Sequence, residues 1–239
     1  MHARRTSASR ASPNKLLASL PAADYRRLRS VLNPISLPFQ HVLLKPGETA
    51  QTIYFPGDGV CSITQVMRNG RTVEVATVGN EGFIGINALF GNERVLGGAL
   101  MKVPDGAAQV MSVRAFQREM DRRGPFSKVI NLYAHGFVAF LMQSVACNAL
   151  HSVDQRCARW LLTMRDRVGR NEFPLTQEFL ALMLGVRRPS VTLAVGALQG
   201  AGLIDLGHKR MVILDRPGLE AASCECHAVV KNHFARRHS

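Results

Sequence analysis

Acidic residues are scarce in this 239-residue chain, since Asp and Glu together number 17 against 30 Lys and Arg, for a formal net charge of +13. Such an excess favours a polyanionic partner, because phosphates attract basic side chains and release counterions on contact. A basic surface also promotes solubility, and charge alone does not separate the two. Hydrophobic residues make up 46%, which is normal for a globular protein with real cores.

Cysteines are also few, and the sequence has neither a long apolar run nor the pattern of a secretory signal. The five cysteines are scattered and odd in number, which argues against a secreted disulfide framework and favours a reducing cytoplasm. No run of about 18 apolar residues occurs, so the sequence predicts neither a membrane span nor a membrane partner. Residues 1–14 are rich in Arg, Ser and Ala and lack an apolar core, so a disordered basic arm is preferred over a transit peptide.

Motifs of enzymes are absent from the sequence. It has no Gly-rich phosphate loop, no metal-ligand motif and no nucleophile signature, so we expect no enzyme, no catalytic residue and no cofactor. His151 and Asp154 stand one helical turn apart, and we interpret them as a surface pair beside a hinge.

A zinc site at Cys224-x-Cys226-His227, with His233 as a further ligand, is one metal hypothesis that the sequence raises. Two ligands spaced by one residue project from different sides of a helix, and no second pair follows at zinc-site spacing. Ordinary thiols are therefore preferred, and the sequence predicts no metal.

The pattern of the chain changes along its length. Residues 15–32 indicate two short helices broken at Pro21. From residue 35 to 113, short apolar runs alternate with turn signals, and Asn69-Gly70 between two β-branched runs is a strong hairpin signal. Turn signals at such intervals predict an antiparallel sandwich or jelly roll, so the chain as a whole is predicted to be α+β.

Residues 125–153 are predicted to form one long helix with two apolar stripes. One stripe would pack on the β domain and the other on a second copy of the chain. A buried helix inside a monomer is the alternative, but a homodimer is preferred because helix-turn-helix proteins so often bind DNA as two-fold dimers. One stripe comprises Val129, Leu132, Gly136, Ala139, Gln143, Ala146, Leu150 and Val153, and the adjacent one Ile130, Tyr133, Phe137 and Phe140.

Residues 175–198 fit a helix-turn-helix, and a short hairpin that follows would form a wing. Thr176 suits the N-cap of a first helix, Gly185 suits a left-handed turn, and Pro189 suits the first turn of a second helix. Arg188 is placed to contact a guanine in the major groove. The residues predicted to contact DNA are Thr176, Gln177, Arg187, Arg188, Ser190 and Thr192, with Lys209 and Arg210 at the tip of the wing.

Five short segments carry a family resemblance: residues 155–162 (QRCARWLL), 166–167 (DR), 175–178 (LTQE), 185–188 (GVRR) and 200–204 (GAGLI). With them the chain resembles the CRP/FNR superfamily of bacterial transcription regulators over nearly its whole length. The resemblance implies double-stranded DNA and RNA polymerase as partners. It also implies a cyclic-nucleotide-binding-like β-roll over residues 15–124, a dimerisation helix over 125–153 and a winged helix-turn-helix over 154–222. Residues 223–239 are predicted from their own pattern to form a basic tail, a frayed helix.

The sequence departs from this family in both domains. In the second helix, Pro189 and Leu193 stand where the family carries Glu and a second Arg, so the usual operator cannot be assumed. In the ligand turn, Ile86 stands where cyclic-nucleotide receptors carry the ribose-binding Glu, and residues 97–99 lack the phosphate-binding Arg. Arg94 lies nearby and could compensate, but a buried phosphate without its cation is costly.

Binding of cyclic AMP is therefore not expected, and the effector is left open. An iron–sulfur sensor is not expected either, because no cysteine precedes Cys61. The candidate pocket residues are Gly85, Ile86, Asn87 and Arg94.

Two functions from different classes remain. The first is a dimeric DNA-binding transcription regulator that is not gated by cyclic AMP. The second is a small-molecule-binding signalling module whose helix-turn-helix mediates protein contacts. Steep loss of duplex affinity with added salt would favour the first.

Overall fold

The computed structural model describes residues 12–91 and 94–235, with side chains as far as residue 232. The predicted N-terminal arm lies outside the described residues up to residue 11. Its last part is not an arm, because Asn14 is fully buried and caps helix α1 (Lys15–Ala18). The Asn14 amide also donates to the carbonyl oxygens of Pro56 and Gly82, at 2.9 and 2.8 Å.

The N-terminal domain is an antiparallel β-roll, as the turn signals predicted. Its described strands form two sheets, in the orders β1-β7-β3 and β2-β6-β4-β5. The hairpin predicted at Asn69-Gly70 joins β4 to β5, and Gly70 takes the positive φ of +78° that its turn requires. Helix α2 is Ala22–Leu28, and the strands are Asn33–Leu37 (β1), Val42–Leu44 (β2), Thr52–Phe55 (β3), Val60–Val66 (β4), Thr72–Val78 (β5), Gly98–Val103 (β6) and Asp105–Ser112 (β7).

Helix α3 (Val113–Asp121) leads into the long helix α4 (Pro125–Leu150), whose inner face packs on the roll. Of the two predicted stripes, the one that packs on the β domain is Ile130, Tyr133, Phe137 and Phe140, since all four are buried. Tyr133 and Phe137 stack at 5.9 Å between ring centroids, so aromatic contacts fix the helix on the sheet.

The outer face of α4 differs in detail from the predicted stripe. The stripe member Gly136 is buried, whereas Leu132 and Leu150 are exposed. The exposed apolar residues of α4 also include Val138, Met142 and Val145, which follow one another by four and three residues. The exposed apolar surface of α4 is therefore wider than the single predicted stripe.

By length and composition, α4 is the one helix of the described residues that could cross a membrane alone; α6 and α7, defined below, pass that test only together, as a bent pair. A third of the most apolar 18-residue window of α4 is buried. Core helices of soluble proteins pass the same test, so length and composition alone do not indicate that α4 spans a membrane. Small and polar residues interrupt the apolar residues of α4, so it contains no unbroken apolar run of the length that the sequence criterion requires.

The C-terminal domain is a winged helix, and its core cluster also includes Val60 and Val103 of the β-roll. Helix α5 begins at a capping box between Ser152 and Gln155, and buried Trp160 and Leu161 lie on its inner face. The described strands of the domain form a sheet in the order β8-β10-β9. Its elements are Val153–Val168 (α5), Glu172–Pro174 (β8), Gln177–Leu184 (α6), Arg188–Gly200 (α7), Ile204–Gly207 (β9), Arg210–Ile213 (β10) and Arg216–Ala222 (α8).

The segment predicted to be a frayed basic tail is instead packed as far as it is described. Helix α9 (Cys226–Ala235) lies against α4 and α5. Cys226 and His227 are buried, and the His227 ring lies 3.0 Å from the Asp166 carboxylate. The Lys and Arg residues of this segment suggested a tail, whereas its buried side chains, among them Cys224 and Cys226, determine how it packs.

Polar contacts join the two domains across the face between β5 and the C-terminal helices. Arg167 forms an ion pair with Glu81 at 2.8 Å. Burial raises the pKa of Glu81, but Arg167 outweighs this and leaves the pKa below its ordinary value. The Trp160 indole donates to Glu74 at 2.9 Å, and burial of this carboxylate raises its pKa to about 7.

Candidate nucleic-acid interface and sensory cavity

Helices α6 and α7 have the geometry of a helix-turn-helix. The chain bends by 109° between them, across a turn of three residues. Thr176 caps α6 by accepting from the Phe179 amide at 3.1 Å. Gly185 ends the helix in the left-handed region with φ +66°, which a residue with a side chain rarely adopts. The local rules that predicted the motif are therefore met in its structure.

Arg187 and Arg188 lie at the N-terminal end of α7, and both side chains are exposed. Arg187 is the N-cap, and Pro189 occupies the first turn, where a missing N–H costs little. Within the described part of the chain, neither guanidinium has a hydrogen bond or an ion pair. The helix end also carries a partial positive charge, so it is suited to an anionic partner.

The remaining polar residues predicted for the interface lie beside these arginines. Gln177 accepts a hydrogen bond from the Thr192 hydroxyl at 2.9 Å, so the two side chains orient one another between the helices. Thr176 and Ser190 are partly buried at the adjoining helix starts. Gln177 and Thr192 are thus in contact, while Thr176, Arg187, Arg188 and Ser190 lie at the starts of the two helices.

The wing is the hairpin of β9 and β10, and its tip is built from residues with positive φ. His208 and Lys209 have φ values of +50° and +64°, as a two-residue hairpin turn requires at both central positions. The Lys209 side chain is exposed. Arg210 forms an ion pair with Glu172 at 3.2 Å, so its charge is partly neutralised within the wing. Lys209 is therefore the better placed of the two for a phosphate.

Leu193 was not among the residues predicted to contact DNA. It lies on α7, and 75% of its side chain is exposed. An exposed apolar side chain on a helix of this kind can contact the methyl group of thymine. The signal was present, since Leu193 had been noted as a replacement for an arginine.

A cavity of about 280 Å³ lies inside the β-roll and is closed on one side by α4. Gly85, Ile86 and Asn87 line it, as predicted, together with Phe137 and Leu141 of α4. Gly85 has φ +109°, and a Cβ there would lie 2.6 Å from the Ile53 side chain, so the backbone turn depends on glycine. No charged side chain of the described residues lines the cavity.

Arg94 does not join the other three predicted pocket residues in the cavity lining. Its side chain is exposed, and its Nε donates to the carbonyl oxygen of Gly47 at 3.4 Å. Its carbonyl oxygen accepts from the Asn87 amide at 2.9 Å. The backbone of Arg94 thus supports the pocket turn, while its guanidinium lies outside the cavity.

Two domain families match this chain. A Crp-like helix-turn-helix domain matches residues 155–222, and a cyclic nucleotide-binding domain matches residues 34–121. Together they account for well over half of the sequence, in the order in which the fold places the winged helix after the β-roll. The chain belongs to the CRP/FNR family of transcription regulators. A search of curated proteins finds no match.

Solved structures share the fold of this CRP/FNR regulator at low identity. A CRP-family transcriptional regulator from Thermus thermophilus is 20% identical, with a TM-score of 0.67 over 79% of this chain and 96% of that one. The c-di-GMP-responsive global regulator CLP of Xanthomonas campestris is 16% identical, with a TM-score of 0.66 over 81% and 99%. FixK2 of Bradyrhizobium japonicum is 16% identical, with a TM-score of 0.65 over 81% and 98%.

Proposed function

We propose that this CRP/FNR regulator binds DNA sequence-specifically as a homodimer, with the N-terminal end of α7 in the major groove. The observation that carries the proposal is the exposed Arg187-Arg188 pair, which projects from a helix-turn-helix and has no partner within the described chain. An arginine that is buried or ion-paired can serve to stabilise the fold. Arg187 and Arg188 are neither, so their guanidinium groups are free to contact bases and phosphates.

The homodimer is supported by the outer face of α4. Met142 and Val145 are 69% and 71% exposed, and they continue the apolar stripe that begins at Val138. An exposed apolar stripe at helical spacing along a 26-residue helix is suited to pairing with the same stripe of a second copy. Two-fold pairing would also place two recognition helices on one face of the duplex.

Gating by cyclic AMP is disfavoured by the chemistry of the cavity. A cyclic nucleotide brings a phosphate charge, and its burial without a cation is costly. Among the residues that the structure describes, none that lines the cavity is charged, and the apolar side chain of Ile86 cannot hydrogen-bond a ribose. The same reasoning applies to the cyclic dinucleotide to which the Xanthomonas regulator responds. The cavity suits an effector that is small and largely apolar.

RNA polymerase is the expected protein partner, because a transcription regulator acts on the enzyme that it recruits or blocks. A reducing cytoplasm is the expected compartment, since all five cysteines are free thiols. No membrane takes part in the proposed function.

The proposal is tested by selecting preferred sites from a random duplex pool with the purified full chain. We expect a two-fold symmetric site, and a binding constant for that site that falls steeply with added salt. If the chain binds no duplex at low ionic strength, the alternative function, a signalling module with a protein-binding helix-turn-helix, would replace this one.

A further inference from the structure

Three cysteines and a histidine converge where the end of α4 meets the segment between α8 and α9. Cys147 and His151 lie one helical turn apart at the end of α4, and Cys224 and Cys226 approach them from the C-terminal segment. One ligand atom from each of the four residues lies within 4.8 Å of the other three. The three cysteines are fully or almost fully buried, so the cluster is enclosed rather than a surface coincidence.

The spacing within this cluster fits a single tetrahedral metal ion. Zinc holds thiolate sulfur at about 2.3 Å and imidazole nitrogen at about 2.0–2.1 Å, so the edges of such a tetrahedron are about 3.5–3.8 Å. The Cys147 and Cys224 sulfur atoms are 3.5 Å apart, and the Cys226 sulfur is 3.6 Å from Nδ1 of His151. An iron–sulfur cluster places several metal atoms between its ligands and would separate the sulfurs further.

The groups around the cluster orient the ligands as a metal site requires. With Nδ1 of His151 facing Cys226, its Nε2 lies 3.2 Å from the Glu225 carboxylate. A carboxylate on the far ring nitrogen fixes the tautomer of a histidine ligand and raises its basicity. The Gln143 amide lies 3.0 Å from the Cys226 sulfur and can donate to a thiolate there.

Charge at the site is balanced by basic residues of α5. Three thiolates, a neutral imidazole and a divalent ion leave one net negative charge. Burial raises the pKa of the Cys147 and Cys224 thiols, and the positive charge of Arg159 acts against this at Cys147. The Nε atoms of Arg156 and Arg159 are buried without a hydrogen-bond partner, and neither arginine forms an ion pair within the described residues. An anionic centre beside them would offset their charge.

We propose that Cys147, His151, Cys224 and Cys226 bind one zinc ion, or a similar thiophilic divalent ion, in a closed structural site. Binding converts three thiols into thiolates and so releases three protons for each ion bound. The ion joins the end of the long helix to the C-terminal segment at the α4–α5 hinge. The site does not depend on DNA binding, and it replaces the expectation from the sequence that this chain holds no metal.

The test is a titration of the reduced, metal-free full chain with Co²⁺, followed by displacement with Zn²⁺. We expect one Co²⁺ per chain with the strong absorption of thiolate ligation and tetrahedral geometry, and stoichiometric displacement by Zn²⁺. Cys147→Ala and Cys226→Ala should each weaken binding by more than about a hundredfold. Cys157→Ala is the matched control, because it removes a buried thiol of α5 outside the cluster and should bind as the parent does.

A milder variant separates ligand loss from misfolding. Glu225 is exposed, so Glu225→Gln leaves the fold intact and should weaken Co²⁺ binding by about 10- to 100-fold. Glu220→Gln, an exposed acid on α8, should have no effect. The proposal is overturned if the reduced chain binds no Co²⁺, if the bound ion lacks thiolate absorption, or if Cys157→Ala loses binding as the cluster variants do. If the three thiols lose their protons with rising pH but the chain takes up no metal, they are an ordinary group of buried cysteines and the proposal fails.

Discussion

Replacing Arg188 by alanine tests the recognition helix with little effect on folding. Arg188 is the exposed first residue of α7, and alanine is a strong helix former, so the variant should unfold within about 0.5 kcal/mol of the parent. The Arg188 carbonyl oxygen keeps its hydrogen bond from the Thr192 hydroxyl, at 3.2 Å, because only the side chain is removed. Any large loss of DNA affinity therefore reports on the interface.

The size of the loss follows from the contact that the side chain is placed to make. A bidentate arginine–guanine pair is worth about 1–3 kcal/mol of discrimination, which corresponds to about a 5- to 150-fold loss of affinity for one half-site. A homodimer bound to two half-sites loses the contact twice, or about 2–6 kcal/mol. Binding to random DNA depends on phosphates alone, so it should weaken far less.

Fluorescence anisotropy on the selected site and on a scrambled duplex measures both losses at one salt concentration. Repeating the site selection with Arg188→Ala should show one relaxed position in each half-site and unchanged preference elsewhere. Arg29→Ala, which removes an exposed positive charge from the N-terminal domain, controls for net charge. Equal losses on the selected and the scrambled duplex would refute the base contact and leave Arg188 as a phosphate ligand.

Four further outcomes can be measured. Lys209→Asn, which keeps a residue that tolerates positive φ at the wing tip, should weaken specific and random binding alike and lower the salt slope by about 1. Val145→Glu should shift the sedimentation equilibrium from dimer to monomer, whereas Val66→Glu, at an exposed apolar position on β4, should leave the dimer intact. Cyclic AMP at millimolar concentration should not raise the melting temperature, and a rise that scales with its concentration would contradict the pocket chemistry. Because the pKa of Glu74 is raised to about 7 in the folded chain, its carboxylate destabilises the fold as the pH rises from about 4.5 to 7. At pH 8, Glu74→Gln should therefore have a free energy of unfolding in urea that is about 2–3 kcal/mol higher than that of the parent. The difference should vanish near pH 4.5. A difference that does not change with pH would rule this out.

Local rules predicted the helix-turn-helix well because each of its decisive residues acts on its immediate neighbours. The Thr176 cap, the left-handed Gly185 and the proline in the first turn of α7 are all determined within four residues. The hairpin at Asn69-Gly70 was found for the same reason. The Arg210–Glu172 ion pair was not found, because it joins two strands whose pairing only the fold establishes.

Contacts between distant parts of the chain were missed for a common physical reason. The zinc hypothesis drawn from the sequence was confined to residues near Cys224, whereas the proposed site also includes residues of α4, 77 residues earlier at Cys147. One signal was visible, since Cys147 and His151 are spaced as two ligands on one helical face are. The packing of Asn14 and of α9 was missed for the same reason, because the composition of a segment does not show which other part of the chain it packs against.

Helix α4 connects the features from which regulation of this protein must be built. Within about 39 Å of helix, it supplies Phe137 and Leu141 to the cavity wall, carries the exposed stripe proposed for the dimer, and ends at the hinge beside His151. A rigid helix cannot move at the cavity without moving at its end. The Arg167–Glu81 and Trp160–Glu74 contacts hold α5 to the β-roll. Because α5 follows α4 across the hinge, a shift of α4 would strain these two contacts. We therefore expect an effector to change DNA affinity only if it binds differently to the arrangements that keep and break these two contacts.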